Sequence, residues 1–280
     1  MDISIGSYSF HRLLESGKQD IFGYITDCKR LGCTQLDPWN GHLPLLQPEA
    51  DQIMKGEAKL TADEEAWVKK VRAASDEAGV PFGCVAIDGG HIYEADSAAR
   101  QKNRTLAYRS LDVANRLGAS QFRIDTGGTP ELPREQFDVI IEGYRDLIPR
   151  ATDKGLQILI ENHWGACKIP DNLVRIFETL PDLKLLFDSS NWNKGQEDEG
   201  GQKCAKYAAS VHIKTFTFDE SGNDPTVDVR KSIRYLLQAG YKGCWGVESV
   251  PKDGDEYGAA AKTIALIKRV LNEQTQNIQQ

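Results

Sequence analysis

Glu161, Asp188, His212 and Glu248 each close, or sit within, a short apolar run: LQILIE, LKLLFD, SVHIK and CWGVE. They recur at intervals of 27, 24 and 36 residues, each about one strand plus one return helix. Parallel strands need a crossover of a dozen or more residues, usually a helix, so the spacing predicts successive βα units. At equivalent strand ends of a closed barrel, the four residues would converge on one point. Three carboxylates gathered there are costly unless a cation compensates, so the joint pattern predicts a divalent-metal site. Each residue alone has a plainer reading. Glu161 or Glu248 could pair with an arginine, Asp188 could cap the turn before Ser-Ser-Asn, and His212 could be a hydrogen-bonded core histidine.

The elements that would position these groups are legible along the whole chain. Strand-like runs are 2–8, 33–37, 80–87, 121–125, 156–161, 183–188, 210–215 and 244–250. Helical patterns lie between them at 20–31, 62–78, 95–117, 134–154, 172–180, 199–208, 227–239 and 257–271. Several helices stop on a glycine, as at Gly79 and Gly118, which is a C-terminal cap signal. Pro133 and Pro170 stand where a helix should begin, where a missing N–H costs little. Eight strands alternating with eight helices, without a linker-like stretch, predict an α/β chain forming a single (β/α)8 TIM barrel over residues 1–272. Residues 273–280 read as a polar C-terminal tail with no apolar face to bury.

Active sites of such barrels lie at the C-terminal ends of the strands. Residues two apart on a strand share a face, so His163 joins Glu161, Lys214 joins His212, and Arg123 joins Asp125. The catalytic candidates are therefore Glu161, Glu248, His163 and Lys214. Trp39, His42, Asp88, Arg123, Asn191 and Trp192 follow strand ends closely enough to be substrate-binding candidates. The tryptophans could equally pack loops, or stack on a sugar face.

Composition narrows the partners. The 34 basic against 41 acidic residues, net −7, and the lack of a Lys/Arg cluster give no footprint for a nucleic-acid backbone. No apolar stretch is long enough to span a bilayer. The opening MDISIGSYSF reads as a strand and not as a basic-then-apolar leader, and the six cysteines contain no Cys-x-x-Cys pair. A cytoplasmic chain with reduced thiols is expected. The aromatic-rich loops around Trp39 and Trp192 would also suit a subunit interface, in a homo-oligomer or a hetero-oligomer.

The series LIENHWG, LLFDSSNW, VHIKTF and WGVESV, with the second-strand segment GCTQLDPWNGHL, resembles the sugar phosphate isomerase/epimerase family of xylose isomerase-like TIM barrels. The likeness runs over essentially the whole chain. It implies that Glu161, Asp188, His212 and Glu248 surround one Mn²⁺, Mg²⁺, Co²⁺ or Zn²⁺ ion. Independently, an oxygen-rich set with one imidazole suits Mn²⁺ or Mg²⁺ better than a structural zinc. There are departures. The family's His-x-Lys-Asp signature ends here on Thr215. The ketose 3-epimerase branch has a histidine, an arginine and a glutamate where this chain has Asn191, Phe218 and Cys167. The endonuclease branch needs a histidine-rich trinuclear site, which five histidines and an acidic balance do not suit.

The chemistry expected is enolisation of a small sugar or sugar-like ketone. A divalent ion polarises a carbonyl, a carboxylate or imidazole removes the neighbouring proton, and another group returns it. Return to the opposite face gives an epimer, and return to the other carbon an aldose–ketose isomer. A ketose, an inositol ketone or a keto-sugar would serve as substrate. The alternative is a lyase or dehydratase, in which the same enediolate expels a β leaving group from a keto-sugar or 3-keto-glycoside. No phosphate cradle stands out, so unphosphorylated substrates are expected.

Overall fold

The computed structural model describes residues 1–46 and 59–278. Among them seven parallel strands form one sheet: β1 (Ile3–Ile5), β2 (Cys84–Ile87), β3 (Gln121–Ile124), β4 (Gln157–Glu161), β5 (Lys184–Asp188), β6 (Ala208–Thr215) and β7 (Trp245–Ser249). Their order is β1-β7-β6-β5-β4-β3-β2, so the sheet curls until β1 and β2 face one another. The helices outside it are α1 (His11–Glu15), α2 (Ile21–Arg30), α3 (Ala62–Ala78), α4 (Ser97–Leu117), α5 (Arg134–Thr152), α6 (Pro170–Thr179), α7 (Glu197–Cys204), α8 (Val229–Gln238) and α9 (Glu256–Ile278). The architecture is a TIM barrel. None of these helices is long and apolar enough to cross a membrane.

The expected strand at 33–37 is not a regular strand. It runs between β1 and β2 and joins them by isolated bonds. Thr34 N donates to Ile3 O at 2.8 Å, Ser7 N to Asp37 O at 3.0 Å, and Ala86 N to Pro38 O at 2.9 Å. Pro38 and Pro81 have no N–H, so neither side can continue a ladder here. The segment closes the barrel as a seam. The expected first strand is also shorter, because a 3-10 turn at Ser7–Phe10 takes over after β1 and carries Tyr8.

Helix ends follow local chemistry. Thr61 and Glu64 form a reciprocal capping box before α3, and Asp96 and Asp228 accept backbone N–H bonds at the starts of α4 and α8. The final helix continues to Ile278, past the Leu271 where its apolar pattern stops. Glu273 in this extension pairs with Arg230 of α8. Inside the barrel, Cys84, Leu159 and Leu186 pack as a small buried layer under the cavity. The larger core lies between the outer face of the sheet and the helices.

Candidate metal centre and cavity

The register of the last strands brings the four expected ligands together. Asp188 is the Cα partner of His212 across β5 and β6, and Lys214 is the partner of Glu248 across β6 and β7. Glu161 enters from the end of β4, beside Leu186. One ligand atom from each of Glu161, Asp188, His212 and Glu248 lies within 4.8 Å of every other, and all four residues are buried.

Each side chain is held by neighbours that leave a face toward the common point. Asp188 Oδ1 accepts from Ser190 N at 2.7 Å and Asn191 N at 2.8 Å. Its Oδ2 is buried without a hydrogen-bond partner, and the Lys214 ammonium stands 3.5 Å away. Glu161 Oε1 accepts from Asn191 Nδ2 at 3.1 Å, while Arg123 Nε lies 3.2 Å from Oε2. His212 Nδ1 lies 2.8 Å from Glu248 Oε2 and 3.6 Å from Glu161 Oε1, without the alignment of a hydrogen bond. Glu248 Oε1 faces Lys214 Nζ at 3.1 Å.

The electrostatics favour a cation here. Burial works against the charged form of His212, but Glu161 and Glu248 outweigh it and raise its pKa to about 10. Burial, then the charges of Glu248 and Glu161, push Asp188 up to about 6 against the pull of Lys214 and His212. Burial also opposes the charge of Glu161 and Glu248. Arg123 and His163 hold the first below its ordinary value, and Lys214 and His212 hold the second well below. A cluster that raises the proton affinity of an imidazole this far has spare negative potential, and a divalent ion competes for the same lone pairs. The donor set, three carboxylates and one imidazole with an unsatisfied Asp188 oxygen, fits such an ion.

A second acidic group adjoins the first. Asp88, Asp125 and His163 also offer atoms within 4.8 Å of one another. Here a cation is already built in, because Arg123 Nη1 lies 2.7 Å from Asp88 Oδ1 and 3.0 Å from Asp125 Oδ2. His163 Nδ1 is 3.4 Å from Asp125 Oδ2. Burial lowers the pKa of His163, yet Glu161 and Asp125 raise it on balance.

The two groups share a cavity of about 280 Å³ at the C-terminal mouth of the barrel. Asp88, Arg123, Glu161, His163, His212, Lys214 and Glu248 line its depth, and Tyr8, Trp39, Trp164, Phe216 and Val250 form its upper wall. Three expected substrate contacts lie elsewhere. His42 is buried behind the wall, its Nε2 donating to Gln19 Oε1 at 3.1 Å beside the Tyr24 ring. Trp192 is buried against Phe187 and over Gly200. Asn191 stands behind the metal cluster and links Glu161 to Lys214 Nζ, which donates to its Oδ1 at 3.0 Å. Arg123 lines the cavity, but its guanidinium is taken by three carboxylates.

Two positioning residues were not among those expected from the sequence. Asn162 clasps the backbone of Asp188 from both sides, accepting from Asp188 N at 2.8 Å and donating to Asp188 O at 2.9 Å. Ser189 Oγ accepts from Lys214 N at 2.8 Å. An asparagine directly after a strand-end glutamate was the available hint.

The same fold recurs in solved structures. A D-allulose 3-epimerase from Methylomonas sp. superposes with a TM-score of 0.72 at 15% identity, over 96% of this chain and 98% of that one. A 3-keto-D-glucoside 4-epimerase from E. coli gives 0.67 at 15% identity, over 90% and 95%. A xylose isomerase-like TIM barrel protein from Mycobacterium smegmatis, in complex with magnesium, gives 0.66 at 21% identity, over 90% and 88%. At these identities the likeness speaks for the fold. Among curated proteins no sequence matches. The family description of xylose isomerase-like TIM barrels matches residues 25–270, and the chain belongs to that family.

Proposed function

We propose that this protein is a divalent-metal-dependent isomerase or epimerase of an unphosphorylated keto-sugar, working by enolisation. The observation that carries this reading is the pair Glu161 and Glu248. Two buried carboxylates, both held ionised, approach one point from β4 and β7 beside Asp188 and His212. Glu161, Asp188, His212 and Glu248 would hold the ion, and Mn²⁺ suits their oxygen-rich set. When bound, the ion supplies Lewis acidity to a carbonyl and its neighbouring hydroxyl.

The protein's own groups then have defined work. A carboxylate held below its ordinary pKa is a weak base, so Glu161 and Glu248 remove a proton only from a carbon already acidified by a polarised carbonyl. One of them takes the proton and the other, or His163, returns it from a different side. Lys214, fixed by Glu248, Asp188 and Asn191, places a positive charge where an oxyanion develops. The aromatic wall excludes water from the reacting carbon. Every cationic side chain in the depth of the cavity already faces a carboxylate, which leaves none for a phosphate and favours a neutral substrate. The epimerases among the structural neighbours support this class. Free thiols at all six cysteines suit the cytoplasm as the site of action.

The test is a reaction in deuterated water over a panel of ketoses, inositol ketones and keto-glycosides. Solvent deuterium should enter the carbon next to the carbonyl, and Glu248→Gln should stop the exchange. Full retention of substrate hydrogen during turnover would replace enolisation with hydride shift. Loss of a β substituent during exchange would assign the lyase outcome instead.

A further inference from the structure

Among the described residues, the exposed large hydrophobic side chains are Met1, Tyr8 at 36% and Trp164 at 49%. The last two line the cavity from opposite sides of its mouth, Tyr8 after β1 and Trp164 after β4. Exposed aromatic surface of this size at the mouth of a pocket marks a place where something lands.

Both rings are exposed yet fixed. Tyr8 stacks on His11 with centroids 4.5 Å apart and planes within 8°, and meets Trp39 edge-on at 5.2 Å. The Trp39 ring lies so close over Gly41 that a Cβ there would fall 1.9 Å from it. Trp164 leans on His163 at 4.3 Å. Its backbone is clamped by the next residue, since Gly165 has φ +49° and a Cβ there would lie 2.3 Å from Gly128 O. Rigid aromatic surface loses little entropy on binding, so these rings are suited to stacking.

Size and polarity narrow the occupant. A cavity of about 280 Å³ stands at the small end of ligand pockets, which run from about 300 Å³ upward. It has room for a sugar-sized ring at the metal cluster, and a group attached to that ring points toward its upper wall. There it meets Trp164, Tyr8, Phe216 and Val250, a surface with few hydrogen-bonding groups to match sugar hydroxyls.

We propose that Trp164 and Tyr8 form an aglycone subsite that stacks an aromatic ring, so that the substrate is an aryl glycoside of the keto-sugar and not the free sugar. This rests on the reaction class proposed above, and the two can fail separately. Affinities of the metal-loaded protein for the methyl and 4-nitrophenyl glycosides of one keto-sugar are compared by calorimetry, alongside solvent deuterium exchange into both. The aryl glycoside should bind about tenfold tighter or better. That ratio should fall toward one in Trp164→Ala and recover in Trp164→Phe. Trp164 is half exposed, so its truncation leaves the core intact, and Tyr8→Ala provides a second variant with the same expected direction. Equal binding of the two glycosides, a ratio unchanged in Trp164→Ala, or equally tight binding of a disaccharide glycoside would each overturn the subsite. Exchange without aryl preference removes the subsite and leaves the reaction standing. Aryl preference without exchange supports the subsite and removes the reaction.

Discussion

Lys214 and Glu248 are directly paired residues on neighbouring strands, and their side chains meet at 3.1 Å inside a cluster of buried acids. The ammonium also stands 3.5 Å from Asp188 and donates to Asn191. It is thus the fixed counter-charge of the site as well as a candidate catalytic group. Lys214→Met should destabilise the metal-free protein by about 3–5 kcal/mol, because it strands buried carboxylates. With saturating Mn²⁺ the loss should shrink. Urea denaturation with and without the ion measures both, and an identical loss in the two conditions would separate Lys214 from the metal cluster.

One divalent ion per chain should bind, with an increase in melting temperature that a chelator reverses. Asn162→Ala should weaken that binding by about 10–100-fold, since Asn162 sets the backbone of Asp188 without touching the common point. Calorimetric titration with Mn²⁺ reads the change. Unaltered affinity would leave Asn162 with a purely structural role.

His163→Ala should lower turnover by about 10²-fold or more with the fold intact. Its Nδ1 faces Asp125 at 3.4 Å and its ring borders the cavity. Asp125→Asn should move turnover in the same direction by loosening that orientation. If His163→Ala instead lowers the melting temperature and keeps turnover near normal, the ring is packing under Trp164 and nothing more.

His42 gives a stability profile unrelated to the metal. Burial lowers its pKa to about 4, only partly opposed by Asp20, against about 6.5 in the unfolded chain. Between those values the unfolded chain binds more protons, so stability rises with pH across that window and is level above it. The full change across that window is on the order of 3–4 kcal/mol. In His42→Gln the slope of unfolding free energy between about pH 4 and 6.5 should flatten. A slope equal to wild type would assign the acid sensitivity to other groups.

Trp192→Ala should cost about 3–5 kcal/mol of stability by emptying the space between Phe187 and Gly200. Turnover per folded molecule should stay within a few-fold of wild type. A selective loss of substrate affinity would return Trp192 to the binding surface.

The metal cluster was legible because each ligand ends an apolar run, and parallel register turns equal positions along the chain into equal heights in the barrel. Side-chain direction beyond a strand end was not legible. Asn191 and Trp192 are neighbours, yet one faces the cluster and the other packs on Phe187. The chain turns after Trp39, with His42 N donating to Trp39 O at 3.0 Å, and carries His42 under α2. The pairing of Arg123 with Asp125 was legible, because the two share a strand face two residues apart, whereas the further approach of Asp88 and Glu161 from other strand ends is a tertiary fact. The seam at 33–37 looked like a strand because its apolar pattern is intact. Prolines on it and opposite it remove the donors a ladder needs.

That seam gives the barrel a direction of weakness. Six of its strand junctions are hydrogen-bonded ladders, five of them unbroken and the β5–β6 one with a single register shift between Leu185 and Leu186, whereas the join through Asp37 and Trp39 hangs on scattered bonds. Sheets open first where their bonding is sparsest, so amides at Leu36, Ala86 and Asn40 should exchange with solvent well before those of β5 and β6. The backbone beneath Trp39 is therefore the first to open on the slow scale of amide exchange, although its ring stays packed on Gly41 while the barrel is closed, and the wall that bears the metal ligands is the anvil against which a ligand is held.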